Sequence, residues 1–299
     1  MTGRAALALG ASLALWSAAA TAAPITALVP DATDVRQSTL VGRSGQVYEP
    51  DAAGSRWVRR APGGVSIEVT AATLLDGELV AFGARTPLFR RRGPQWLVEQ
   101  VGQRGRVLVG AGPHFSIAIG RQLFLRKQGR FVRIGAAPAD VVALWAGDER
   151  SVVFATDQAI FRRRGAAFVQ VRSLAGVLGF SGAAPHALTA TAAIEVRTGA
   201  KLTLPGVAVR AASSAKAPAA IVRLPTGRLA LARDLTRPGA PIELPVDVEP
   251  AFVATDLQDR AVLAADGAVQ VLDGSTWRPA TLVDELPAAR PGPPPARSP

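Results

Sequence analysis

No cysteine occurs in the 299 residues, so neither a disulfide framework nor a thiolate metal site can be built. No asparagine occurs either, which removes any acceptor for N-glycosylation. Lysine is confined to Lys127, Lys201 and Lys216, histidine to His114 and His186, and tyrosine to Tyr48. The formal net charge of +11 is therefore carried almost entirely by arginine. Scarce Lys and Asn beside abundant Ala, Arg, Gly and Pro match the codon usage of a high-GC genome, so the basic balance alone carries no function. Helical periodicity is also missing: the 23 Pro and 29 Gly recur throughout, and no long stretch keeps a 3.6-residue period.

The two ends differ from the rest. Arg4, the apolar run Ala5–Ala20 and the small-residue motif Ala20–Ala22 have the layout of a secretory signal peptide, giving residues 1–22 as a removed leader. The run is shorter than the about 20 apolar residues a membrane span needs, and no later stretch is apolar enough to cross a bilayer. The expected location is the periplasm or the extracellular space. Residues 285–299, Pro-rich and poor in apolar side chains, are expected to be a disordered tail. One domain over 23–284 remains.

That domain repeats. Phe82, Phe89 and Trp96 are seven residues apart, as are Phe154, Phe161 and Phe168, and as are Phe124 and Phe131. Chance placement of ten Phe, five Trp and one Tyr gives about one such pair rather than five, which indicates an internal repeat. The segments 40–48, 79–89, 116–125, 152–161, 187–196, 221–231 and 261–271 are copies of one unit, an apolar strand, a small or polar turn and a second apolar strand. Five copies continue into a glycine and then an aromatic: Gly54 and Trp57, Gly93 and Trp96, Gly129 and Phe131, Gly165 and Phe168, Gly274 and Trp277. The glycine suits a tight hairpin and the aromatic opens the next strand. In copies five and six Leu204 and Leu244 stand for the aromatic.

Before each unit lies a strand with a small centre, at Ala32, Ala72, Ala111, Ala146, Ser181, Ala212 and Ala254, as a crowded innermost strand requires. The steps between these centres are 40, 39, 35, 35, 31 and 42 residues. Four short strands per unit predict an all-β, seven-bladed β-propeller of four-stranded blades, with six or eight blades or a β-sandwich as alternatives. The five aromatics after the glycines are expected to be buried between neighbouring sheets.

The Gly-x-x-Trp hairpin ending resembles the tail of the Asp-box turn in sialidase-type and photosystem-assembly-type propellers, in a degenerate form that is also WD-repeat-like in architecture. The Asp and Ser of the box are missing, and only Leu272–Trp277 keeps an Asp, displaced by one position. The Gly-His and Trp-Asp pairs of WD repeats and the paired glycine of kelch repeats are absent. The resemblance implies a fold and no activity.

Chemistry-bearing residues are sparse on the inner strands. His114 and His186 fall in loops on one face without a third metal ligand at matched spacing, so no metal or cofactor is implied. Ser181 lacks the second glycine and the strand-to-helix context of a nucleophile elbow. Tyr48, which the sialidase resemblance would make a nucleophile, lies on an outer strand. Asp148, Glu149, Asp256 and Asp259 read as solvated turn acids. Arg90, Arg91, Arg92, Arg126, Lys127, Arg130, Arg162, Arg163 and Arg164 fall in or beside the third-to-fourth hairpins of units two, three and four. Neighbouring units place them in one basic arc, suited to an acidic protein, an acidic glycan or an anionic lipid surface. Nucleic acid is excluded as a partner for an exported chain without interleaved stacking aromatics. The expected function is a non-enzymatic binding or scaffold propeller. The alternative is a hydrolase or lyase acting on a glycan through loop-borne carboxylates.

Overall fold

The computed structural model describes residues 24–284 except 32, 63–67, 76–77, 84–85, 93–94, 100–106, 128–129, 215, 238, 246–251 and 266. The leader and tail expected at 1–22 and 285–299 lie outside the described residues, as do Ala32, Gly93 and Gly129.

The seven hairpin copies form pairs of adjacent strands. Their β-branched and aromatic residues favour extended backbone, and their small or polar centres turn the chain. In the fourth unit, Ala143–Ala146, Val152–Ala155, Ala159–Arg164 and Ala167–Ser173 form an antiparallel meander in sequence order. The second, third, fifth and sixth units form four-stranded sheets of the same kind. The molecule is an all-β propeller with four-stranded blades. One short 3-10 turn, Val35–Gln37, is the only helical element among the described residues.

The first and last units depart from the expectation of separate sheets. The strand Thr276–Val283 runs three residues past its own hairpin partner, and Thr281–Val283 pairs in parallel with Arg56–Val58 of the first unit. The two meanders thereby join in one sheet, and Ser213–Ser214, pairing in parallel with Phe252–Thr255, is its ninth strand. Among the described residues no strand is exchanged between the first and last units. Side chains hold this seam. Tyr48, fully buried, donates its hydroxyl to Asp284 Oδ1 at 2.6 Å, and Arg59 reaches the same oxygen at 3.3 Å. Asp256 Oδ2 accepts the Val35 backbone N–H at 3.0 Å, and Arg260 donates to the Thr33 carbonyl at 3.0 Å.

The core lies between sheets. Phe82, Ile117 and Phe124 pack between the second and third units, and Leu125, Leu144 and Phe154 between the third and fourth. First strands touch the first strands of the next unit: Ile25–Val29 meets Val69–Leu75, which meets Val107–Val109, while Ile25–Val29 also meets Phe252–Thr255. Small centres permit this approach, and Ala111 bridges Trp145 across two such strands.

The aromatics after the hairpin glycines are less enclosed than expected. Trp57 is fully buried and donates Nε1–H to the Ser38 carbonyl at 2.8 Å. Trp96, Phe131, Phe168 and Trp277 are half-buried, each packed against the core shared with the preceding unit. They sit on the fourth strands of their units, and among the described residues no further strand covers the far edge of those that carry Trp96, Phe131 and Phe168. Leu204 and Leu244 do not take the aromatic's place, because they pack toward the following unit.

Candidate functional site

A cavity of about 460 Å³ lies where first strands converge, lined by residues from six units. Its polar groups are the hydroxyls of Thr73, Ser213, Ser214 and Thr255, and no charged side chain lines it. Leu74 and Leu257 stand exposed at its rim. Such a lining can hold an apolar group or accept and donate single hydrogen bonds. It supplies neither an acid-base pair nor a nucleophile with a partner base.

The remaining candidates are committed elsewhere. Ser181 Oγ is buried, donates to the Ala212 carbonyl at 2.7 Å and accepts the Ala219 N–H at 3.0 Å, which ties the fifth unit to the sixth. Tyr48 belongs to the seam. His186 is 3.1 Å through Nδ1 from the Ala184 carbonyl, and His114 sits in a loop whose backbone N–H bonds Ala146. Among the described residues no three His, Cys, Asp or Glu side chains come together. Asp148 caps its own turn; bonds from the Ser151 and Arg150 N–H groups, the former the larger cause, hold its carboxyl below the usual range.

Asp256 corrects the reading of loop acids as solvated. Its side chain is wholly enclosed and ion-pairs with Arg260 at 2.7 Å while accepting the Arg260, Gln258 and Val35 N–H groups. The Val35 partner lies 221 residues away, so no local pattern could reveal it. Asp259, in contrast, is a turn residue at φ 60°, paired with Lys216 at 3.6 Å.

Except for Arg130, which opens the fourth strand Arg130–Ala136, the basic residues occupy the last positions of third strands rather than the turns themselves. Strand alternation therefore sends neighbours to opposite faces of a blade. Arg91 follows Phe89 toward the first unit and binds Glu49 at 2.5 Å, while Arg90 binds Glu78 of its own sheet at 2.6 Å. Lys127 reaches Glu149 of the fourth unit at 3.1 Å. Arg126 is buried, with its guanidinium 5.6 Å from the centre of the Phe131 ring. Arg163 donates to the carbonyls of Glu149 and Gly165. The Arg130 side chain lies outside the described residues. Arg92, Arg162 and Arg164 are exposed.

Arg162 and Arg164 face a second cavity, of about 610 Å³, between the fourth and fifth sheets. Its walls add Arg172 and Arg197, which the sequence reading passed over because they sit outside the hairpin ends. Glu195 is the one carboxylate in the lining; it pairs with Arg197 at 3.5 Å. The Thr198 hydroxyl, then Arg197, hold its carboxyl below the usual range. Several of these cations are paired within the fold, whereas four arginines line this cleft beside one carboxylate.

No family model matches the chain, and no curated protein matches it. Solved structures do resemble it. A streptogramin B lyase shares 12% identity at a TM-score of 0.61, covering 83% of this chain and 93% of that one. The WD40 β-propeller domain of Doa1 shares 14% at 0.56, covering 84% and 93%. The computationally designed Ika8 protein shares 17% at 0.57, covering 86% of each chain. At these identities the likeness carries the β-propeller fold alone. No helix among the described residues is long and apolar enough to cross a membrane.

Proposed function

We propose that the protein is an exported, non-enzymatic binding or scaffold propeller of seven blades that contacts an acidic partner through cations at its third-to-fourth hairpins. Counting the two meanders of the nine-stranded sheet as separate blades gives seven. This count is supported by the apolar clusters, each of which draws on two consecutive units, with one spanning the seam between Ala254 and Trp57. Export rests on the leader-like composition of residues 1–22.

The observation that carries the binding reading is a contrast. The axial cavity is lined by hydroxyl-bearing and apolar side chains, whereas the guanidinium groups of Arg162 and Arg164 stand exposed with no hydrogen bond or ion pair among the described residues. The glycan hydrolase or lyase reading draws little support, because Asp148 is occupied within its own turn and Asp256 by Arg260 and the Val35 N–H.

The test uses a variant carrying R92Q, R162Q and R164Q, which spares the paired Arg90 and Arg91. Binding to immobilised polyglutamate, to a sulfated polysaccharide and to anionic vesicles is measured from low to high salt. The expected result is binding by the parent protein that falls steeply with salt, since screening acts over about 8–10 Å at these strengths. The variant should lose at least tenfold in affinity at an unchanged melting temperature. Equal binding by both proteins would leave the arginines as strand-end residues only.

A further inference from the structure

We infer that the cleft between the fourth and fifth sheets is a docking site for an extended acidic polypeptide in which carboxylate and apolar side chains alternate. The inference rests on the binding reading above and narrows its partner to one class. Four guanidinium groups, those of Arg162, Arg164, Arg172 and Arg197, face one carboxylate, Glu195. Arg172 packs against the backbone of Gly199, and its Nε is buried with no hydrogen-bond partner among the described residues. A planar guanidinium matches a carboxylate in a two-pronged geometry, so the surplus selects oxyanions held side by side.

Apolar surface lies between these charges. Val169 and Val171, 41% and 38% exposed, line the same cleft from the strand Ala167–Ser173. The register sets Val169 opposite Arg162 and Arg172 opposite Ile160, which mixes valine and arginine on one wall. An alternating acidic and apolar segment complements that order. The strand is the outermost of its sheet and among the described residues pairs only with Ala159–Arg164, so its free edge is open to an added extended chain. A flat lipid surface fits poorly, because these cations line a cleft between sheets. A glycan would want an exposed aromatic platform, and the one aromatic in the lining, Trp145, is only 5% exposed.

The probe is a labelled ten-residue peptide alternating Glu and Val, with a Gln-Val peptide, phosphatidylglycerol vesicles and a sulfated polysaccharide as comparisons. Titration by fluorescence anisotropy should show salt-sensitive binding of the Glu-Val peptide and none of the Gln-Val peptide. R162Q/R164Q and, separately, V169E should each weaken it at least tenfold, while R237Q, at an exposed arginine of the sixth unit outside the hairpins of units two, three and four, leaves it unchanged. Circular dichroism melts confirm that each variant is folded. Unchanged peptide affinity in folded R162Q/R164Q overturns the cleft assignment; if R92Q then weakens binding, the acidic-partner reading survives at another hairpin. Vesicle or polysaccharide binding without peptide binding overturns the polypeptide assignment. Failure of every acidic probe overturns both readings.

Discussion

Trp57 and Trp96 occupy matching places in successive units and yet stand in different surroundings. Trp57 is fully enclosed beside the seam and its indole N–H is satisfied by Ser38, whereas Trp96 is half-buried with its N–H on the Gly45 carbonyl at 2.9 Å. Removing a buried large aromatic forfeits transfer energy and leaves a cavity, so Trp57→Ala should cost about 3–5 kcal/mol. Trp96→Ala should cost clearly less, since its site is already open to water on one side. Chemical denaturation of the two variants checks the order, and an equal loss contradicts it. The glycine-then-aromatic ending of the repeat revealed that both belong to the core but could not grade their enclosure. Phe89 and Phe161 were legible as apolar residues just before the arginines: Phe89 is buried, and Phe161 stacks on Phe154 at 5.0 Å. Asp256 was not legible, because its environment comes from the opposite end of the chain.

Elements show the same division between local and distant. Every hairpin found by repetition is present, because alternation and turn chemistry act within a dozen residues. Gly165 carries its turn at φ 60°, with open space around it, so backbone conformation alone selects glycine there. What repetition could not show was the extra length of Thr276–Val283, whose last three residues close the ring by pairing with another unit. The loop Asp31–Ser38 joins that closure and gives it a pH dependence. Asp34 is held below its ordinary value of 3.8, first by its hydrogen bond from Arg36, and Asp31 is held below 3.8, first by Thr33. A carboxyl with a depressed folded value stabilises the fold above its unfolded value and loses that contribution as pH falls through the folded one. Stability from these two groups should therefore be full above about pH 5 and decline below 3.8. Urea midpoints measured from pH 7 to pH 2.5 should fall less steeply at the acid end for Asp34→Asn. An identical acid slope in the variant would remove Asp34 from the account.

At the scale of the whole molecule, the repeat dictated a radial array, and the array determines where charge can collect. Cations at strand ends alternate between faces, so neighbouring sheets either neutralise them, as Glu49 does Arg91, or leave them facing one another across a cleft. Which of these occurs depends on the unit next door, and for that reason the sequence suggested a continuous basic arc. The axial cavity, usually the place to look for function in a ring of blades, has no charged side chain in its lining, whereas four arginines and one carboxylate line the cleft between the fourth and fifth sheets. The most direct measurement is a crystal structure of the protein soaked with the Glu-Val peptide. The account predicts seven blades in a closed ring, the first and last joined in one sheet, with peptide density along Ala167–Ser173 and carboxylates on Arg162 and Arg164. Density across the axial mouth over Thr73, Ser214 and Thr255, with the cleft empty, would contradict it.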